Sequence, residues 1–153
     1  GQGTVGLEIA EDAARFGVTF DTVLVPCSGG GLATGTALGL NGSATVRTVE
    51  PQNFDGMKRS LEAGERVKAP GGELSIADAL MAPIPGSIVF EIARDRLGPG
   101  LAVTDAALIR AMTFAASSLK LVVEPGGAAA LAALLEGAAR GQSVAVVLSG
   151  GNV

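Results

Sequence analysis

The chain has 153 residues, a formal net charge of -4 and no histidine. The acidic balance argues against a nucleic-acid partner, which usually requires a basic surface. The lack of histidine excludes Ser-His-Asp and Cys-His catalysis and histidine-ligated zinc sites within these residues. The single cysteine, Cys27, excludes an internal disulfide. No apolar stretch reaches the roughly 18 residues that span a bilayer, so we expect no membrane partner. Because a single cysteine gives no sign of an oxidising compartment, we expect a cytoplasmic protein.

The chain alternates between segments with helical and with extended apolar patterning. The predicted helices are 1–16, 32–40, 53–63, 87–97, 104–116 and 128–139. The predicted strands are 21–26, 44–49, 101–103 and 143–148, with a brief extended piece at 122–123. The last strand is apolar on both faces, which is typical of a central parallel strand. This alternation predicts a single α/β domain over 1–153, with a mostly parallel sheet between helical layers.

Three consecutive glycines, residues 29–31, separate the first predicted strand from the helix that follows it. Glycines let the backbone turn sharply and let a ligand approach without a Cβ in the way. The free N–H groups at the start of that helix, with its dipole, favour a phosphate. The same glycines would suit a plain turn with close helix–strand packing, and both interpretations stay open at this point.

A second glycine turn, residues 149–152, follows the last predicted strand. Ligands of parallel sheets bind beyond the carboxyl ends of the strands. We therefore expect both glycine turns to face one crevice and to form a ligand site there.

Five motifs together resemble the pyridoxal-phosphate-dependent serine/threonine dehydratase family of fold-type II, the group that also contains serine racemase. They span essentially the whole chain in the family's order. They are Gly1-Gln2-Gly3-Thr4, Ser28-Gly29-Gly30-Gly31-Leu32, Glu50-Pro51, Glu124-Pro125-Gly126-Gly127-Ala128 and Ser149-Gly150-Gly151-Asn152.

The resemblance implies that L-threonine is converted to 2-oxobutyrate and ammonia by β-elimination, with a small amino acid as the substrate. A serine racemase, or another amino-acid racemase, is the alternative within the same family. From another class, a non-catalytic phosphate- or nucleotide-binding α/β domain is a further alternative. The glycine spacing disfavours it, because neither G-x-G-x-x-G nor a Walker Gly-Lys-Ser/Thr end is present.

The resemblance also implies the residues that hold pyridoxal 5'-phosphate. Backbone N–H groups of the first glycine turn would hold its phosphate, a hydroxyl of the second turn would hydrogen-bond its ring nitrogen, and one glutamate would lie near it. These residues are, in that order, Ser28, Gly29, Gly30, Gly31 and Leu32; Ser149; and Glu124. A carboxylate that complements a helix N-terminus is an equal interpretation of Glu124.

Some family members bind a divalent cation or potassium, and Glu50 matches the first ligand of that site. Phe54 matches a position that offers its backbone carbonyl. The next carboxylate of the pattern falls on Gly56, with Asp55 one residue early. Hard cations need several oxygen ligands, so this departure weakens the predicted metal site.

The family's cofactor lysine belongs to a Ser-x-Lys-x-Arg segment that these residues lack, so no catalytic residue is assigned here. The chain thus resembles the C-terminal part of the large domain, without the small domain, and we expect it to be inactive alone. Its expected partners are the complementary N-terminal part of the same enzyme and further copies in a homo-oligomer. Such a piece would expose an apolar face and an unpaired sheet edge.

Overall fold

Four parallel strands form one sheet, in the computed structural model that describes residues 2–139 and 142–153. The strands are β1 (Thr22–Pro26), β2 (Thr45–Pro51), β3 (Leu101–Val103) and β4 (Val144–Val146), in the order β3-β2-β1-β4. Thr22 pairs with Thr45 of β2 on one side and with Val144 of β4 on the other. The predicted parallel sheet is therefore confirmed.

Helices cover both faces of this sheet. They are α1 (Thr4–Phe16), α2 (Gly31–Leu40), α3 (Gly56–Ala63), α4 (Ser87–Ala93), α5 (Asp105–Phe114) and α6 (Ala129–Leu135). Successive side chains of a strand point to opposite faces. Val23 and Val25 accordingly pack with the α1–α2 layer, and Leu24 packs with the α5–α6 layer. The three-layer arrangement is confirmed.

Glycines let the backbones of α1 and α2 come into direct contact. A Cβ on Gly6 would overlap the carbonyl of Thr36, and a Cβ on Gly39 would lie 2.6 Å from the carbonyl oxygen of Gly3. The small residues of α2 therefore serve contact with the neighbouring helix, in addition to the contact with the sheet that the sequence predicts.

In the C-terminal half, the strands and helices differ from those that the sequence predicts. β4 lies at one end of the described sheet with half-buried side chains, although its apolar pattern predicts a central strand. Helix α6 stops at Leu135, four residues early, because Gly137 takes a left-handed φ of 93° that breaks the helix. The pair 122–123 forms no strand. Gly1 of the first motif lies outside the described residues.

The longest helix of the described residues, α1, has 13 residues. Within residues 2–139 and 142–153, no helix has the length and apolar character to cross a bilayer.

Candidate functional site

The first glycine turn joins β1 to α2. Gly30 adopts φ 95°, a left-handed conformation that side chains rarely take, and a Cβ there would overlap the terminal methyl of Met57. Gly29 differs, because a Cβ at that position would meet no atom within 4 Å. Gly30 is thus required by the protein's own packing, whereas Gly29 leaves open space beside the start of α2.

The N-terminus of α2 has the features of an anion site. The first N–H groups of a helix have no partner within it, and α2 has neither a side-chain cap nor an acidic residue in its first turn. The buried hydroxyl of Thr34 has no hydrogen-bond partner, and its oxygen lies 4.0 Å from the position of a Cβ on Gly30. Free donors, a positive helix end and missing side-chain volume together fit a phosphate.

A cavity of about 280 Å³ lies at this turn, at the carboxyl end of β1. Residues 28–32 line it together with Ser149, Leu80 and Gln2. The two glycine turns therefore meet in one crevice, as the sequence predicts. Gln2 belongs to the first motif, but the sequence analysis assigns it no role. Its Oε1 lies 3.0 Å from the position that a Cβ on Gly31 would take.

A larger cavity of about 920 Å³ lies at the opposite edge of the sheet, where Asp21, Ser43 and Arg47 are among its lining residues. These residues lie at the amino ends of β1 and β2. Ligands of parallel sheets bind at the carboxyl ends of the strands. Among the described residues that line this larger space, none belongs to a glycine-rich helix start. The chemistry therefore points to the smaller cavity.

Glu124 lies against the second glycine turn. Its backbone N–H donates to the carbonyl of Gly150 at 3.1 Å, and a Cβ on Gly150 would overlap its carboxylate. Helix α6 begins at Ala129 and has no acidic residue in its first turn, so Glu124 precedes that turn. Glu124 instead lies beside the turn that carries the exposed Ser149.

Cys27 is buried at the entrance to the first glycine turn. Burial raises the pKa of its thiol well above the usual range, and the nearby Glu50 raises this pKa further. Its Sγ donates to the carbonyl of Ser28 at 3.6 Å. The thiol is therefore neutral near pH 7, which makes it a poor nucleophile.

Glu50 is fully buried at the end of β2, where its two carboxylate oxygens accept the N–H groups of Met57 at 2.8 Å and Lys58 at 2.7 Å. Burial raises the pKa of Glu50 to about 7, and Asp55 adds to the rise, whereas the two N–H bonds and the Lys58 charge oppose it. No cluster of three or more His, Cys, Asp or Glu residues suited to a metal occurs in the part of the chain that the structure describes. The metal site at Glu50 stays a prediction.

The pyridoxal-phosphate dependent enzyme family matches residues 1–150 of this chain. A solved threonine deaminase from T.th. superposes with a TM-score of 0.94 and 41% identity, and the match covers 100% of this chain and 56% of that one. Serine racemase of Oryza sativa subsp. indica is 36% identical, and the match covers 100% of this chain and 46% of that protein. L-threonine ammonia-lyase of Thermotoga maritima is 34% identical, and the match covers 100% of this chain and 38% of that protein. The chain thus spans less than half the length of these two curated relatives.

Proposed function

We propose that this chain, which belongs to the pyridoxal-phosphate dependent enzyme family, is the C-terminal part of the cofactor-binding domain of an L-threonine dehydratase. The observation that carries the proposal is the cavity in which residues 28–32 meet Ser149. The similarity to a threonine deaminase and to a threonine ammonia-lyase supports β-elimination, with 2-oxobutyrate and ammonia as products.

In this proposal the start of α2 holds the phosphate of pyridoxal 5'-phosphate. The backbone N–H groups of residues 28–32 would donate to the phosphate oxygens, and the helix dipole would favour their negative charge. The Ser28 side chain ties the turn to the segment before α4, since its hydroxyl accepts the N–H of Ala82 at 3.2 Å. The open space beside Gly29 leaves room for a ligand next to these N–H groups.

Ser149 hydrogen-bonds the ring nitrogen, and Glu124 orients the turn that carries Ser149 through its contact with Gly150. A hydroxyl partner, unlike a carboxylate partner, leaves that nitrogen unprotonated. The unprotonated nitrogen suits elimination. When bound, the cofactor supplies an electron sink for the pair left after loss of the substrate Cα proton. The lysine that takes this proton lies in a part of the parent protein outside these 153 residues, so we expect the isolated chain to be inactive.

The serine racemase relatives favour a second candidate function, because their identity to this chain is similar to that of the ammonia-lyase relatives. The same cavity would serve a racemase, and the face from which the substrate carbon is reprotonated would decide the outcome. In either case we propose a single domain over 1–153, completed by the N-terminal part of the same enzyme in a cytoplasmic homo-oligomer. The half-buried edge strand β4 supports such a completion.

The experiment uses the full parent protein with pyridoxal phosphate. L-threonine and L-serine are supplied separately, and 2-oxo acid, ammonia and D-serine are quantified in parallel. The proposal predicts 2-oxobutyrate and ammonia in equal amounts as the main products. D-serine as the main product would establish the racemase instead. The absence of both products, and of Schiff-base absorption, would favour a non-catalytic phosphate-binding domain.

A further inference from the structure

Glu50 is a buried carboxylate that the cofactor chemistry above leaves unused. Each of its oxygens accepts one backbone N–H group from the first turn of α3, those of Met57 and Lys58. Asp55, the residue at the N-cap of α3, makes no side-chain cap hydrogen bond. Glu50 therefore satisfies helix donors that would otherwise lack partners, from a position on the neighbouring strand.

The surroundings of Glu50 do not fit a divalent cation. Such cations take about six or more oxygen ligands, drawn from carboxylates, carbonyls and waters. Position 56, where the family pattern has a carboxylate, is glycine. The nearby Asp55 accepts from Arg59 at 2.7 Å and lies 4.0 Å from the ammonium of Lys58. The carboxylate nearest to the expected ligand position is thus already paired with Arg59, while Lys58 pairs more closely with Glu62 at 3.0 Å.

The first turn of α3 also supports the glycine turn. The fully buried Met57 places its terminal methyl beneath Gly30, in the space that a Cβ at that position would occupy. The backbone of Lys58 contacts Gly100, where a Cβ would lie 2.8 Å from the Lys58 Cα. The start of α3 is therefore held between Glu50, the glycine turn and the residue before β3.

We propose that Glu50 is a positioning residue for the phosphate site of the cofactor. In this proposal the Met57 and Lys58 N–H groups of α3 bind the Glu50 carboxylate in place of a divalent cation. Glu50 accepts hydrogen bonds from the first turn of α3, and Met57 of that turn packs against Gly30, which has the left-handed φ of 95°. The inference rests on cofactor binding by the proposed function, but it does not depend on which amino acid is the substrate.

The first test measures cation dependence in the full parent protein. The protein is treated with EDTA, dialysed, and titrated with Mg²⁺, Ca²⁺ or Mn²⁺, each with and without pyridoxal phosphate. Thermal unfolding and Schiff-base absorption are recorded. A cation bound to the folded state would raise the unfolding midpoint as its concentration rises. We expect no change in midpoint or in cofactor affinity, and a rise in either would overturn the inference.

The second test separates positioning from general stability. Glu50→Gln keeps the shape but exchanges one acceptor oxygen for a donor amide, so one N–H of α3 loses its partner. We expect the Kd for pyridoxal phosphate to rise about 2- to 10-fold, as for the loss of one hydrogen bond. Thr104→Ala is the matched control, because it removes the cap that accepts the Ala107 N–H of α5 at 3.2 Å, far along the chain from the glycine turn.

We expect Thr104→Ala to lower the unfolding midpoint without changing the Kd for pyridoxal phosphate. Equal cofactor affinities for Glu50→Gln, the control and the unmodified protein would overturn the positioning role. If Glu50→Gln fails to fold, Met57→Ala tests the same support, and Met57→Leu should restore the affinity that Met57→Ala loses. A parent that binds no pyridoxal phosphate would refute the proposed function and with it the positioning role of Glu50. Its cation titration would still decide separately whether the N–H groups of α3 take the place of a divalent cation.

Discussion

The terminal methyl of Met57 occupies the space that a Cβ on Gly30 would need, and Gly30 has φ 95°. Gly30→Ala therefore combines backbone strain with a steric overlap. We expect it to lower the free energy of unfolding of the parent protein by about 2–4 kcal/mol. Chemical denaturation measures this loss.

Gly42→Ala is the matched control for the same backbone strain. Gly42 has φ 85° but no atom within 4 Å of a Cβ position, so its substitution should cost only about 1 kcal/mol. Equal losses for the two variants would show that the contact between Met57 and Gly30 contributes nothing.

The contact between Glu124 and Gly150 predicts a non-additive pair. Gly150→Ala would displace the Glu124 carboxylate and with it the turn that carries Ser149, so we expect a weaker affinity for pyridoxal phosphate. Adding Glu124→Ala makes room for the new methyl group. The double variant should therefore lose less binding free energy for the cofactor than the sum of the losses of the two single variants. Additive effects on the Kd would contradict a direct contact.

Cys27 should resist alkylation in the folded protein. Its thiol is buried, and its raised pKa keeps it protonated, whereas the thiolate is the reactive form. We expect iodoacetamide at about pH 8 to modify Cys27 only after denaturant is added, as measured by peptide mass spectrometry. Rapid modification of the native parent protein at Cys27 would contradict the described packing of the glycine turn.

The sequence predicts the layers of the fold because periodic patterns and glycine turns are local signals. The strand at 21–26, the helix after it and the meeting of the two glycine turns follow from such signals together with the general behaviour of parallel sheets. The position of β4 does not follow, since a short apolar run does not identify its neighbours.

Contacts between distant residues are the part of the site that the sequence could not supply. Glu124 lies against Gly150, 26 residues later, and only tertiary packing brings them together. The bonds from the first turn of α3 to Glu50 depend on where that helix begins, which patterning places only within a few residues. The support of Gly30 by Met57 likewise requires the three-dimensional arrangement of α3.

The most direct test of the phosphate site is the Gly29→Asp variant of the full parent protein. A Cβ at Gly29 meets no protein atom within 4 Å, so the side chain should enter the cavity and place a negative charge where the phosphate is proposed to bind. Gly29→Ala is the control for the change in backbone alone. Equilibrium binding of pyridoxal phosphate and the unfolding midpoint of the cofactor-free protein are measured for each.

We expect Gly29→Asp to keep the unfolding midpoint of the cofactor-free protein within a few degrees of the unmodified protein. We expect its affinity for pyridoxal phosphate to fall by at least about 100-fold, equivalent to about 2.7 kcal/mol. Gly29→Ala should lose less. Unchanged cofactor affinity in a folded Gly29→Asp variant would show that the phosphate binds elsewhere, and it would contradict the site described for residues 28–32.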